Sequence, residues 1–427
     1  MQTKIAVDKL FLIRKSFFDN LLVIKKTDFA FFLTLVGFLM AFFGSATVWF
    51  MWPLGNFYTI ATLPLFILSW AISVNLENTI FEWNKRQIAT LVFFLFQLYV
   101  IIVNGKNMNA VIMAFFDTSV IMVLMALNDK YRYLLGKKLS QALGFILLFS
   151  IPLYLLYIVG FPLPSTTMES PNGIYELSNY LFFVVDGSGL ELIPRFRCIF
   201  NEPGHIGAAC SLLLFTQIGH WRKWYNILMI VALIMSFSLA AYILFVMVIV
   251  GRMWIFRKKI ALKLIIVVGM LAAIVAGSYF YNDGDNMLNQ LIVARMEVND
   301  DGELAGDNRV TESFKAGYED FLKLGDILTG RDYSVEKYGF GNSGYRVFIF
   351  DNGLLGALMY LLFYLSLVIG AKDKRAAIVM LAVAAAVFWE RATGMAYYNI
   401  VPLFISLYPS LDKKAEEPVT SETEQKK

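Results

Sequence analysis

Arg195, Arg197, Glu202 and His205 lie within the eleven residues Arg195–His205, just where a long apolar block begins. A guanidinium offers a planar fork that matches phosphate. A carboxylate or imidazole beside it can take a proton from an attacking hydroxyl. Charged groups are costly near hydrocarbon and often mark a substrate path. Pro203 suits the first turn of a helix, where no amide hydrogen is required. Glu202 would then sit at the positive end of that helix. Glu202 and His205 are three residues apart and share a helix face if both are helical. The same residues also fit an interfacial anchor, in which the arginine stems snorkel and Glu202 only caps the helix.

Further charges follow. Arg309 is expected at the start of a helix over Arg309–Leu324, with Asn308 as its cap. Val310, Phe314, Tyr318, Phe321 and Leu322 form an apolar stripe at helical spacing, read as packing rather than as a sugar platform. A helix N-terminus already attracts anions, and Arg309 adds charge there. Pairing with Asp307 or Glu312 is the alternative. Gly341-Asn342-Ser343-Gly344-Tyr345-Arg346 leads into another apolar block. Its glycines permit close backbone approach, and Arg346 falls at the membrane surface. Glu390-Arg391 reads as an ion pair bracing the bundle. Asp283, Asp285, Asp300, Asp301, Glu303 and Asp307 lack the spacing of a calcium loop and read as solvated surface. Cys198 and Cys210 cannot make a disulfide framework. Zinc-type spacing is absent, so no metal is expected. A net charge of +4 without a basic stripe excludes nucleic acid as a partner.

These residues must be held by helices in a bilayer. The 427-residue chain is 58% hydrophobic and 16% charged. Soluble domains carry about a quarter charged residues. The apolar residues come in continuous blocks near spanning length, which indicates helices rather than a barrel. Spans are predicted at 29–51, 57–74, 88–104, 109–127, 142–160, 203–219, 226–237, 239–255, 260–280, 344–370, 376–389 and 397–410. The fold expected is an all-α integral membrane protein of about twelve transmembrane helices. Lysines and arginines collect before the first span and after the second, fourth, sixth, eighth and tenth. These stretches therefore belong on the cytoplasmic side, with both termini inside. The count requires 225–250 to be two short helices meeting near Ser236-Phe237-Ser238 rather than one long helix. Residues 1–28 form a cytoplasmic N-terminal segment, 29–410 a membrane domain, and 411–427 a disordered cytoplasmic tail. The block beginning near Phe29 is expected to act as an uncleaved signal anchor. Two long loops, about 161–202 and 281–343, face outward and are expected to be functional.

The run Arg195, Phe200, Glu202, Pro203 resembles the re-entry motif of the O-antigen polymerase and ligase superfamily, with Cys198 where glycine is common. Ser236-Phe237-Ser238 is similar to that family's serine-containing turn, although Leu239 stands where many members carry arginine. Arg309 with its helix, Gly330 and the 339–342 glycine segment are similar to the family's second outer loop. The resemblance covers roughly residues 140–370. Ligases of the family carry a histidine where this chain has Gly341-Asn342-Ser343, so the chain looks like the Wzy-type polymerases.

The resemblance implies a GT-C-like fold in the bacterial inner membrane. It also implies a glycosyltransferase acting on undecaprenyl-pyrophosphate-linked oligosaccharide repeat units in O-antigen or capsular polysaccharide synthesis. An acceptor hydroxyl would attack the anomeric carbon, and lipid pyrophosphate would leave. Arg195, Arg309 and Arg346, then Arg197, are the residues expected to meet the pyrophosphate charge. Glu202, then His205, is expected to take the proton. Tyr175, Tyr180, Tyr333 and Tyr338 are aromatics available to sugars. No cofactor or metal is expected. Partners would be the lipid-linked substrate, membrane lipids and a co-polymerase that regulates chain length. Two other readings remain: a glycan ligase, and a lipid-linked sugar flippase or transporter, though no mid-membrane charge pattern or repeated halves favour the latter.

Overall fold

The computed structural model describes residues 26–74, 79–105, 108–170, 173, 176–187, 194–256, 260–286, 289–294, 297, 310–323, 325–331, 333–339, 342–391 and 393–407. In chain order its helices are α1 (Lys26–Ser45), α2 (Phe57–Ser73), α3 (Gln87–Val103), α4 (Met108–Ala126), α5 (Asp129–Ile158), α6 (Pro203–Thr216) and α7 (Trp224–Met235). There follow α8 (Leu239–Phe256), α9 (Ile260–Phe280), α10 (Glu312–Lys323), α11 (Val335–Tyr338), α12 (Tyr345–Leu367), α13 (Lys374–Glu390) and α14 (Tyr397–Ser406). Each apolar block predicted to span coincides with a helix. Among the described residues, five of these, α1, α4, α5, α8 and α12, are long and apolar enough to cross a membrane. α2, α3, α6 and α7 are apolar but shorter. The chain is therefore a largely helical protein of membrane-spanning character.

α5 differs from its predicted span by starting far earlier, at Asp129. The side chain of Asn128 accepts from the amide of Tyr131 and caps it. No breaker follows before Pro152, so the basic stretch 130–138 is helix rather than loop. α7 and α8 are separate helices, and Phe237 turns the chain between them at φ 44°. This is the two-helix reading of that segment.

Contacts between distant segments show where the basic stretches gather. Asp129 accepts from Arg86 Nη1 at 3.4 Å and Lys372 Nζ at 2.9 Å, and it also pairs with Arg132. Arg375 donates to the Ile255 carbonyl at 3.4 Å, and Arg252 lies over the Trp221 ring at 4.7 Å. The α2–α3, α4–α5, α6–α7 and α12–α13 connections and the end of α8 thus share one end of the bundle.

The long stretch 161–202 is not structureless. It folds an antiparallel sheet ordered β1-β2-β3, from Thr166–Glu169, Glu176–Asn179 and Val184–Asp186. In β2, Leu177 and Asn179 turn inward while their neighbours stay out, as the period of two requires. Phe183 packs on Tyr154 and Tyr157 of α5, each at 5.8 Å, which seats the sheet on that helix end.

In the second stretch α10 starts at Glu312, and Thr311 accepts from the Phe314 amide at its N-terminus. Asn308 and Arg309 lie outside the described residues, as do Asp300, Asp301, Glu303, Asp307, the 1–25 segment and the 408–427 tail. The stripe is packing. Phe314 and Phe321 are buried with Tyr338, Val347 and Phe350, whereas Leu322 is exposed. Gly353 interrupts α12 at φ 65°, and a Cβ there would lie 2.3 Å from the Leu328 carbonyl oxygen. Only glycine lets the 326–330 turn press so closely into the break.

Candidate functional site

Residues 194–202 cross the bundle end opposite the Asp129 cluster, held by backbone bonds to three neighbours. Phe196 donates to Met235 at 3.2 Å, Trp49 donates to Ile199 at 3.2 Å, and Val184 of β3 donates to Cys198 at 2.8 Å. Cys198 takes φ 51°, a left-handed conformation that favours glycine.

Arg197 points inward. One Nη donates to Asp186 of β3 at 2.8 Å, and the other to the Asn201 carbonyl at 2.9 Å. The residue is only 2% exposed. Its guanidinium is committed to closing the loop, so its position is that of a brace rather than of an open phosphate ligand.

Glu202 precedes α6 with extended backbone, φ −129° and ψ 144°, and its side chain makes no cap bond. The carboxylate turns instead to Arg391, with Nη1 to Oε2 at 3.3 Å. The interfacial-cap alternative does not describe this geometry. Arg391 follows α13, with Glu390 Oε1 at 4.0 Å from its Nε. Gly204 makes room for it, since a Cβ there would lie 2.1 Å from Arg391 Nη2. Burial works against the charge on Arg391, but Tyr398, Glu202 and Glu390 outweigh it and raise its pKa.

His205 sits one turn further on. Its Nδ1 is 2.9 Å from Asn201 Oδ1, which also accepts from the Thr47 hydroxyl at 3.0 Å. With Asn201 oxygen as acceptor, Nδ1 carries the proton and Nε2 keeps its lone pair. The ring is buried and faces Tyr398 at 5.9 Å. Glu202, whose side chain is 32% exposed, is the more accessible of the two bases.

Arg195 is half-buried in the same crossing segment. Arg346 opens α12 at the site's edge, its Nε 3.3 Å from the Tyr345 hydroxyl. Tyr345 stacks on Trp389 at 4.3 Å, one residue before Glu390. Arg197, Glu202 and His205 thus come together, while Arg346 joins through Tyr345 and Trp389. Arg309 and Tyr175 lie outside the described residues. Tyr180 stacks on Phe183, and Tyr333 and Tyr338 pack around Phe314, so these tyrosines serve the loop cores.

The sequence pairs Arg391 with Glu390 as an ion pair bracing the bundle, and it does not single out Asp186, Asn201, Thr47 or Tyr398. Asn201 is legible as the polar neighbour of Glu202. Nothing local signals Thr47, whose partner Asn201 lies 154 residues away, and Asp186 pairs with Arg197 only because β3 folds back on the crossing segment.

The arrangement offers a carboxylate held by a half-buried guanidinium, an imidazole hydrogen-bonded to Asn201, and arginines at the rim. It could accept a proton while meeting anionic charge nearby. Compared with protein-family models, with curated proteins and with solved structures, the chain matches none.

Proposed function

We propose that this chain polymerises lipid-pyrophosphate-linked oligosaccharide repeat units at the outer face of a bacterial inner membrane. The observation that carries the proposal is the Glu202–Arg391 pair, made between residues 189 apart at the bundle end opposite the basic connections. On the positive-inside rule the basic end is cytoplasmic, so both termini lie inside and the site lies outside. Glu202 takes the proton as an acceptor hydroxyl attacks the anomeric carbon. Arg391 holds the carboxylate in place, and His205 with Asn201 supports it. Arg195, Arg346 and Arg309 meet the charge growing on the leaving pyrophosphate. Arg197 keeps the segment closed over Asp186.

The resemblance of the re-entry motif supports a polymerase or a ligase. The position where ligases carry histidine favours a polymerase. Here Asn342 accepts from Thr311 at 2.6 Å and donates to the Tyr333 hydroxyl at 2.8 Å and the Tyr338 carbonyl at 2.9 Å. Its side chain ties the start of α10 to α11.

The test is reconstitution. Purified protein in proteoliposomes, given undecaprenyl-pyrophosphate-linked repeat units alone, is expected to produce a ladder of longer chains. Transfer only to a different acceptor would establish a ligase. Movement of substrate across the bilayer without bond formation would establish a transporter. In cells, unchanged polymer in Arg195→Ala, Glu202→Ala and Arg309→Ala together would overturn the site assignment.

A further inference from the structure

Asp117 is the single charged residue of α4, halfway along a mainly apolar helix. An ionisable group at such depth is costly and commonly functional, yet the mechanism above does not use it. Its carboxyl is engaged. Tyr397 donates to Oδ1 at 2.9 Å, and Tyr58 and Thr59 lie beside it. Tyr58 reaches this layer because Gly44 opposes its ring; a Cβ there would lie 2.5 Å from it.

Tyr397 is the first residue of α14, and the next residue faces the candidate site. The amide of Tyr398 donates to Ser45 Oγ at 2.9 Å, its hydroxyl shares a bond with Thr393 at 3.1 Å, and its ring abuts His205. Asn399 donates to the Thr393 carbonyl at 2.9 Å, closing the turn that follows Arg391. The same α1 end supplies Thr47 to Asn201. Two adjacent tyrosines therefore divide between a carboxylate inside the bundle and the imidazole of the site.

We propose that Asp117 is a positioning residue for the Glu202–His205–Arg391 site, acting through Tyr397 and Tyr398. It fixes the start of α14, and with it the wall against which His205 and the Arg391 turn are set. The proposal rests on the reading that this is the working site.

The chain has only two histidines, so a His220→Gln background leaves His205 alone for observation. The full-length protein in nanodiscs with ¹⁵N-labelled histidine gives the ring resonances, and complementation gives the polymer yield. Asp117→Ala and Tyr397→Phe are each expected to shift the resonances and lower yield about tenfold, the loss of one bond to a charged group. The double variant should fall no lower than either single, because both break one link. Asp117→Asn keeps an oxygen acceptor and should stay near the parent in both readouts. Unmoved resonances in Asp117→Ala and Tyr397→Phe, or losses that multiply in the double variant, would overturn the proposal. If the resonances shift while Glu202→Gln leaves polymer intact, the positioning link stands and the reading of this as the working site fails.

Discussion

Each end of the bundle is organised by ion pairs, but in different ways. At the basic end Asp129 collects Arg86 and Lys372 from two connections and Arg132 from its own helix. At the other end Arg197 pairs with Asp186, and Arg391 with Glu202. A shared hub ties helix ends together and leaves its outermost member, Lys372, in solvent. Separate pairs instead fix individual carboxylates beside an imidazole. The first arrangement is that of a staple, and the second that of a site.

The largest test sets the two carboxylates against each other. Glu202→Gln is expected to lower polymer yield about 10²–10⁴-fold, the range for losing a general base. Asp129→Asn should leave yield per inserted molecule within a few-fold. The opposite ranking would exchange the roles of the two ends. Next, Asp129→Ala should cost about 3–5 kcal/mol in thermal unfolding in detergent, because Arg132 is wholly buried and would lose its carboxylate. A loss under about 1 kcal/mol would show that the hub is not a staple. Arg197→Ala should destabilise by about 3 kcal/mol, since Asp186 would be left with its charge unmatched. Arg197→Lys should recover only part, because an ammonium cannot reproduce the fork to Asp186 and Asn201. Full recovery by lysine would reduce the brace to a simple charge. The smallest effect belongs to the surface pair Lys315–Glu312, at 3.4 Å with Glu312 89% exposed. Lys315→Ala should change stability by less than about 0.5 kcal/mol, and a larger loss would mean that α10 is covered.

Legibility followed the range of the interaction. The helices were readable because each apolar block states its own preference for hydrocarbon. Phe314 and Phe321 were readable as a buried stripe because helical spacing is a local property. The turn at Ser236-Phe237-Ser238 was readable from charge, since only two helices place Arg252 with the other basic groups. The small sheet was not, because its strands are three or four residues long and are held by aromatic contacts with α5. Within the site, Glu202 and His205 stood out by their place beside Pro203. The roles of Arg197 and Arg391 did not, because a guanidinium in a list of residues does not reveal what it faces.

Residue types alone thus determined a helical membrane protein, the basic segments and the short polar run at the start of α6. Hydropathy and charge asymmetry accumulate along the chain, so they survive without coordinates. Tertiary structure alone decided that Arg391 meets Glu202, that Arg197 is spent on Asp186, and that Asp117 reaches the site through adjacent tyrosines. Arg391 and Glu202 stand 189 positions apart and Asp117 and Tyr397 stand 280 apart, so only helix packing brings them within hydrogen-bonding distance.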